Sequence, residues 1–376
     1  MKKLLFFCTH ANQGTGYAKS AAKVVNNLVN RFDITYYAFQ NYPGQAIEDR
    51  YIDSRIKFVD AIKLDAESPK GFGDKGIIPT FDDVDPHIIF IYNDLPVCVS
   101  IIELLGKERV DKCKLVTYLD IVYPWQDIRR FEKLRNVVDL CYVYTNAWKD
   151  HMVNDLGWSA DVIDVIHLGV DDTRLDISQE DALVKLGLDK SDYLVVNMNR
   201  NSYRKQWCTT IRAWFKFWTD NGMDPHIKLF IGGMLKTDDG YDILELIDIE
   251  CMRYGIDNSA ISTNIVINTR PLTAPDEYIN LVYAAGAVGI NTCCGEGYGL
   301  TNIEHALYGK PQIVSGVPAV KEVLGPVAIV IEPTVWTTVS KFESHGGEIA
   351  IHDYKMYADA MTNLYRQGFS KASTYI

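Results

Sequence analysis

Apolar runs of four to eight residues recur along the chain, separated by longer stretches in which apolar positions return every three or four residues. In the first half the runs lie at 3–9, 33–39, 56–59, 87–92, 114–119, 140–144 and 160–167. The helical spacing falls at 17–30, 96–105, 125–135 and 147–156. Strands separated by helix-length segments predict βαβ units and a parallel sheet. Residues 63–80 carry Gly and Pro without periodicity and read as a mobile surface loop. A Gly/Asp-rich break at 167–176, HLGVDDTRLD, interrupts the alternation, which then restarts. Strands are expected at 193–198, 227–231, 264–268, 287–291, 312–315 and 327–331, and helices at 205–219, 241–254, 276–284, 300–308 and 354–366. The fold class this implies is α/β, with two Rossmann-like parallel-sheet domains, 1–169 and 170–376, hinged near residue 170 and facing each other across a cleft.

With 376 residues, 47% apolar and 23% charged, the chain can bury a core in each half. Its net charge of -11 argues against nucleic acid or an anionic membrane as main partner, though it leaves room for a local basic pocket. The eight cysteines are scattered and include no Cys-x2-Cys pair, so reduced thiols in a cytoplasmic, soluble protein are expected. The apolar run after Lys2 and Lys3 spans only Leu4 to Cys8, too short for a signal peptide. No run approaches the eighteen residues of a membrane span.

Candidate chemistry concentrates in GEGYGLTNIEHALYGKP, residues 295–311. Glycines before a helix free backbone N–H groups, here those of Gly297, Tyr298, Gly299 and Leu300, and the helix start adds partial positive charge. Glu296 in the loop and Glu304, about two turns into the expected helix, supply acceptors for hydroxyl groups. N–H donors beside two carboxylates suit a ligand rich in hydroxyls and carrying phosphate. A Gly-rich turn feeding a helix is common in α/β proteins, so this segment alone does not decide the matter. A second segment, YLVVNMNRNSYRKQW (193–207), ends a strand and places Arg200 and Lys205 in the following loop, where ligands of open α/β sheets bind. Such an Arg and Lys can hold a diphosphate, with Arg204 as local competitor for the role. Third, Gly14 and Gly16 follow the first strand and permit close backbone approach. Lys19 stands where the dinucleotide fingerprint wants a third glycine, which counts against NAD.

Other apparent motifs have simpler readings. Trp207, Ile211, Trp214 and Trp218 recur at helical spacing and form a core-facing stripe. Asp83-Val84-Asp85 precedes a strand and reads as a solvated turn, so no metal ligands are assigned. The aromatic and basic WQDIRRFEKLR (125–135) could dock an anionic surface, but Asp127 and Glu132 favour a solvated face.

Taken in order, these segments resemble the family 4 glycosyltransferases, whose text EGFGL…EAMACGTPVI carries a Glu-x7-Glu motif and is matched by EGYGLTNIEHALYGKPQIV. Family text of the form GRLSPEKG corresponds to the Arg200–Lys205 loop. VIPNGVD corresponds to VIHLGVD, and SDVGGVPEVVG to SGVPAVKEVLG (315–325). The resemblance covers residues 144–325 and, more weakly, the first thirty. It implies the GT-B architecture and a retaining, metal-independent hexosyltransferase with no cofactor. Arg200, Lys205 and Glu296 would be catalytic. Glu304 would bind the ribose, with Gly14, Gly16 and residues 297–300 also on the donor. The donor would be a nucleotide diphosphate sugar, GDP-mannose ahead of UDP-sugars, and the acceptor a glycan or other hydroxyl. A homodimer is compatible with this. Where many members carry His-Asp the text is TYLDIVYP, with Leu119 at the His position, leaving Asp120 and Tyr123 on the acceptor side. The segment 332–353 exceeds the usual connection, and the chain stops soon after the expected helix at 354–366. A sugar-nucleotide epimerase and a non-catalytic nucleotide-sugar binder are the alternatives.

Overall fold

A computed structural model describes residues 1–42, 49–270, 274–343 and 345–368. The chain divides into two compact units, Met1–Gly169 and Val170–Ile376. In the first, seven strands form one sheet: β1 (Lys2–Thr9), β2 (Phe32–Phe39), β3 (Lys57–Asp60), β4 (Ile88–Asp94), β5 (Lys114–Asp120), β6 (Leu140–Val143) and β7 (Ile163–Val165). Every pairing is parallel and the order is β3-β2-β1-β4-β5-β6-β7, so the winding reverses between β1 and β4. The Leu4–Cys8 run is a central strand, buried on both faces as a parallel sheet requires.

The second unit repeats the plan with six parallel strands: β8 (Tyr193–Asn197), β9 (Ile227–Ile231), β10 (Ile265–Ile267), β11 (Val288–Asn291), β12 (Gln312–Ser315) and β13 (Ile329–Ile331). Their order is β10-β9-β8-β11-β12-β13, with the reversal between β8 and β11. Alternation along β8 separates two cores. Tyr193 and Val195 join a cluster with Trp207, Ile211, Trp214 and Trp218 of the helix Trp207–Asp220, while Leu194 and Val196 pack with Ala182, Leu183 and Val282. The tryptophan stripe is therefore core, and Trp214 stacks on Trp218 at 5.5 Å. The last described helix, Tyr354–Gln367, lies against the same helix: the Arg212 guanidinium sits 4.2 Å over the Tyr354 ring and Asn221 donates to Thr362.

Three segments differ from expectation. Residues 63–80 include most of a helix, Asp74–Val84, entered through Gly73 in the left-handed region; a Cβ there would meet the Ala61 carbonyl at 2.6 Å. The helix expected from residue 125 starts at Ile128, because Trp125 and Asp127 have φ of 58° and 45°. Within 332–353 lies an antiparallel hairpin, β14 (Val335–Phe342) paired with β15 (His345–Ile351).

Candidate functional site

In open α/β sheets ligands gather at the carboxyl ends of strands where the winding reverses. In the second unit those ends belong to β8 and β11, followed by residues 198–206 and 292–299. The second segment is irregular yet buried throughout. Buried backbone needs partners, and it finds them locally. Cys293 N–H donates to the Asn291 side chain at 3.1 Å, and Cys294 N–H to the Arg204 carbonyl at 2.9 Å. The segment after β8 is held by asparagines at alternate positions. Asn197 accepts from Asn199, and Asn201 donates to the carbonyls of Met234 and Tyr241. Thr210 joins Thr292 at 2.7 Å beneath both segments.

On this support Lys205 and Glu296 form a buried ion pair, each side chain about 10% exposed. Arg204 Nη1 donates to Glu296 Oε1 at 3.1 Å and to the Gly295 carbonyl at 3.0 Å. Burial alone would raise the Glu296 carboxyl; Lys205 and Arg204 overcome it and hold the group down to about 2. Glu296 is therefore ionised across the physiological range, with two cations on it.

Arg200 is not part of this cluster. Its guanidinium pairs with Asp239 at the surface and its side chain is 72% exposed. The backbone explains the exchange. After Ser202 the chain makes a tight 3-10 turn over Tyr203–Lys205 and passes through Gln206 at φ 50°, turning the last two residues of that turn toward β11. Arg204, the competitor in the sequence, thus occupies the position beside Lys205.

Glu304 is held elsewhere on the same motif. The helix begins at Leu300, after Gly299 at φ 94°, and ends at Ala306, so Glu304 lies just over one turn into it rather than two. Its Oε2 accepts the Tyr283 hydroxyl at 3.1 Å. His305 stacks on Tyr283, and burial together with Lys310 pulls its imidazole down to about 3, leaving it neutral. Gly297 and Tyr298 are buried in the loop between Glu296 and Gly299.

In the first unit Gly14 and Gly16 are exposed, flanking Thr15, whose hydroxyl caps the helix Gly16–Leu28 by accepting from Ala18 N–H at 3.2 Å. Asp120, at the end of β5, accepts the Tyr17 hydroxyl at 2.8 Å, and the same hydroxyl bonds Asp94 at the end of β4. Tyr17 and Asp94 were missed by the sequence reading. Their signal was a tyrosine directly after the Gly-Thr-Gly loop and a carboxylate closing a strand next to the reversal. Tyr123 is fully buried. Leu119 is likewise fully buried. Among the described residues no group of three or more His, Cys, Asp or Glu could hold a metal ion, and no helix is long and apolar enough to cross a membrane.

No family model and no curated protein matches the chain in sequence. Solved structures do match it in fold. HepE of Anabaena, in complex with UDP and glucose, superimposes with a TM-score of 0.69 at 13% identity, over 100% of this chain and 93% of that one. Sucrose-phosphate synthase of Thermosynechococcus elongatus gives 0.70 at 14% identity, over 100% and 91%. WaaG, a glycosyltransferase involved in lipopolysaccharide biosynthesis, gives 0.66 at 10% identity, over 97% and 90%. With its two parallel-sheet units, the chain has the GT-B fold.

Proposed function

We propose that this protein is a glycosyltransferase that takes a hexose from a nucleoside diphosphate sugar and passes it to a hydroxyl of a glycan or other acceptor. The observation that carries the reading is the convergence of Lys205, Arg204 and Glu296 at the winding reversal of the second unit. Breaking a glycosidic bond to a diphosphate leaves negative charge on the leaving group. Two fixed cations in a largely buried site stabilise that charge far more than they would in water. Arg204 and Lys205 take this role, and Glu296 orients the transferred sugar through its hydroxyls. Glu304, already accepting one hydroxyl from Tyr283, takes those of the ribose. Residues 297–300 line the donor.

The resemblance to family 4 supports a retaining outcome and chemistry without a required metal or cofactor. Several solved neighbours carry UDP or are described as UDP-forming, which supports a UDP-sugar donor over GDP-mannose. The first unit takes the acceptor side, with Asp120 and Tyr17 at its own reversal; Gly14 and Gly16 remain assigned to the donor.

Calorimetry with UDP, GDP, UDP-glucose and GDP-mannose, followed by donor turnover with and without a hydroxyl acceptor, tests the reading. Binding of a nucleoside diphosphate and slow donor breakdown are expected. Arg204→Ala and Lys205→Ala should each lose about 10² to 10³ in turnover, whereas Arg200→Ala stays within about threefold of wild type, as surface substitutions generally do. A chain that binds neither nucleotide, or in which Arg200→Ala is the damaging change, ends this assignment. An isomerised donor would point to an epimerase instead.

A further inference from the structure

The β14–β15 hairpin, which exceeds the connection expected there, reaches the same cluster. Glu343, the residue after β14, turns back at φ 46° and places its carboxylate on Arg204. Glu343 Oε1 accepts the Arg204 backbone N–H at 2.8 Å, and Oε2 lies 3.5 Å from Nε of the same residue. The hairpin is itself fastened to the site, since Ala350 N–H donates to the Cys294 carbonyl at 2.9 Å while Cys294 N–H donates to the Arg204 carbonyl at 2.9 Å. A chain of backbone bonds thus runs from β15 through the loop after β11 to the loop after β8. Arg204 is gripped at its N–H by Glu343, at its carbonyl by Cys294, and at Nη1 by Gly295 and Glu296.

A long cation binds phosphate well only when its rotamer is set beforehand, because ordering it at the moment of binding costs entropy. A carboxylate that holds both the backbone N–H and the Nε edge removes that freedom and turns the Nη end toward Glu296. The side-chain exposures, 20% for Arg204 and 15% for Glu343, put this contact inside the site rather than on its rim. We propose that Glu343 is a positioning residue, delivered by the hairpin, that sets Arg204 for the diphosphate of the donor. This rests on the proposed function of the Arg204–Lys205–Glu296 cluster.

The test is calorimetry of the full chain with UDP. Glu343→Ala and Glu343→Asp, the second keeping the charge but withdrawing it, should each weaken UDP by about tenfold, as expected for loss of a charge-assisted bond. Glu343→Gln, which keeps one acceptor for the Arg204 N–H but sets an amide NH2 donor against Nε, should fall between the wild type and Glu343→Ala. In an Arg204→Ala background, Glu343→Ala should add no further loss, since the residue acts through Arg204. Wild-type affinity in both the Ala and Asp variants, or an undiminished loss in the Arg204→Ala background, overturns the positioning role alone. Absence of UDP and GDP binding in the wild type removes the proposed function beneath it.

Discussion

Glu296 is a carboxylate that burial opposes and two cations rescue. Its proton affinity is depressed, so the unfolded chain protonates first on acidification, near the usual value of about 4.3. The folded state resists down to about 2. The stabilisation is therefore complete above roughly pH 5 and is lost as pH falls toward 2; it is on the order of 3 kcal/mol. The stability gap between wild type and Glu296→Gln, measured by urea unfolding from pH 6 to pH 3, should narrow with acid; a constant gap would show that the pair does not depress the carboxyl. Glu296 and Lys205 were legible in the sequence, since each follows an apolar strand and a glycine or a polar break. The choice between Arg200 and Arg204 was not. It depends on a three-residue turn and one left-handed glutamine, Gln206, which no periodicity marks.

Strand β11 and the helix Leu300–Ala306 are pressed together through Gly289. A Cβ there would lie 2.0 Å from Gln312 Oε1 and 2.6 Å from His305 Nδ1. Neither neighbour yields easily: Gln312 accepts from Asn302 at 2.9 Å and the His305 ring is stacked on Tyr283. Gly289→Ala should therefore cost about 1–3 kcal/mol by overpacking, read as a lower denaturant midpoint with unchanged slope. A neutral result would mean the helix slides freely on the sheet. Most strands were legible because buried parallel strands are short, continuous apolar runs. The hairpin escaped because β14 is largely exposed and lacks such a run; its only cue was the β-branched series Val335, Thr337, Thr338 and Val339. The helix Asp74–Val84 escaped because Pro79 and three nearby glycines hid a genuine buried face of Ile77, Thr80, Phe81 and Val84.

Both units carry their own core and their own winding reversal, and the division between them after Gly169 falls within the Gly/Asp-rich segment 167–176. Every residue assigned to the nucleotide's phosphates lies in Val170–Ile376. A nucleotide held mainly by the folded second unit stabilises chiefly that unit by mass action, about 2.7 kcal/mol at a hundredfold excess over Kd. Scanning calorimetry with UDP should raise the second unit's transition by roughly 5–10 °C and move the first unit's less; a shift in the first unit alone would relocate the site.

The Lys205–Glu296 pair joins residues 91 apart in the sequence, across strands that become neighbours only after an intervening βα excursion has been laid down. During synthesis, then, Arg204 and Lys205 leave the ribosome long before Glu296 exists. Until that counter-charge emerges, Lys205 has no buried partner and stays hydrated. Formation of the pair therefore marks the closing of the second sheet, and a chain cut short before Glu296 leaves Lys205 in water.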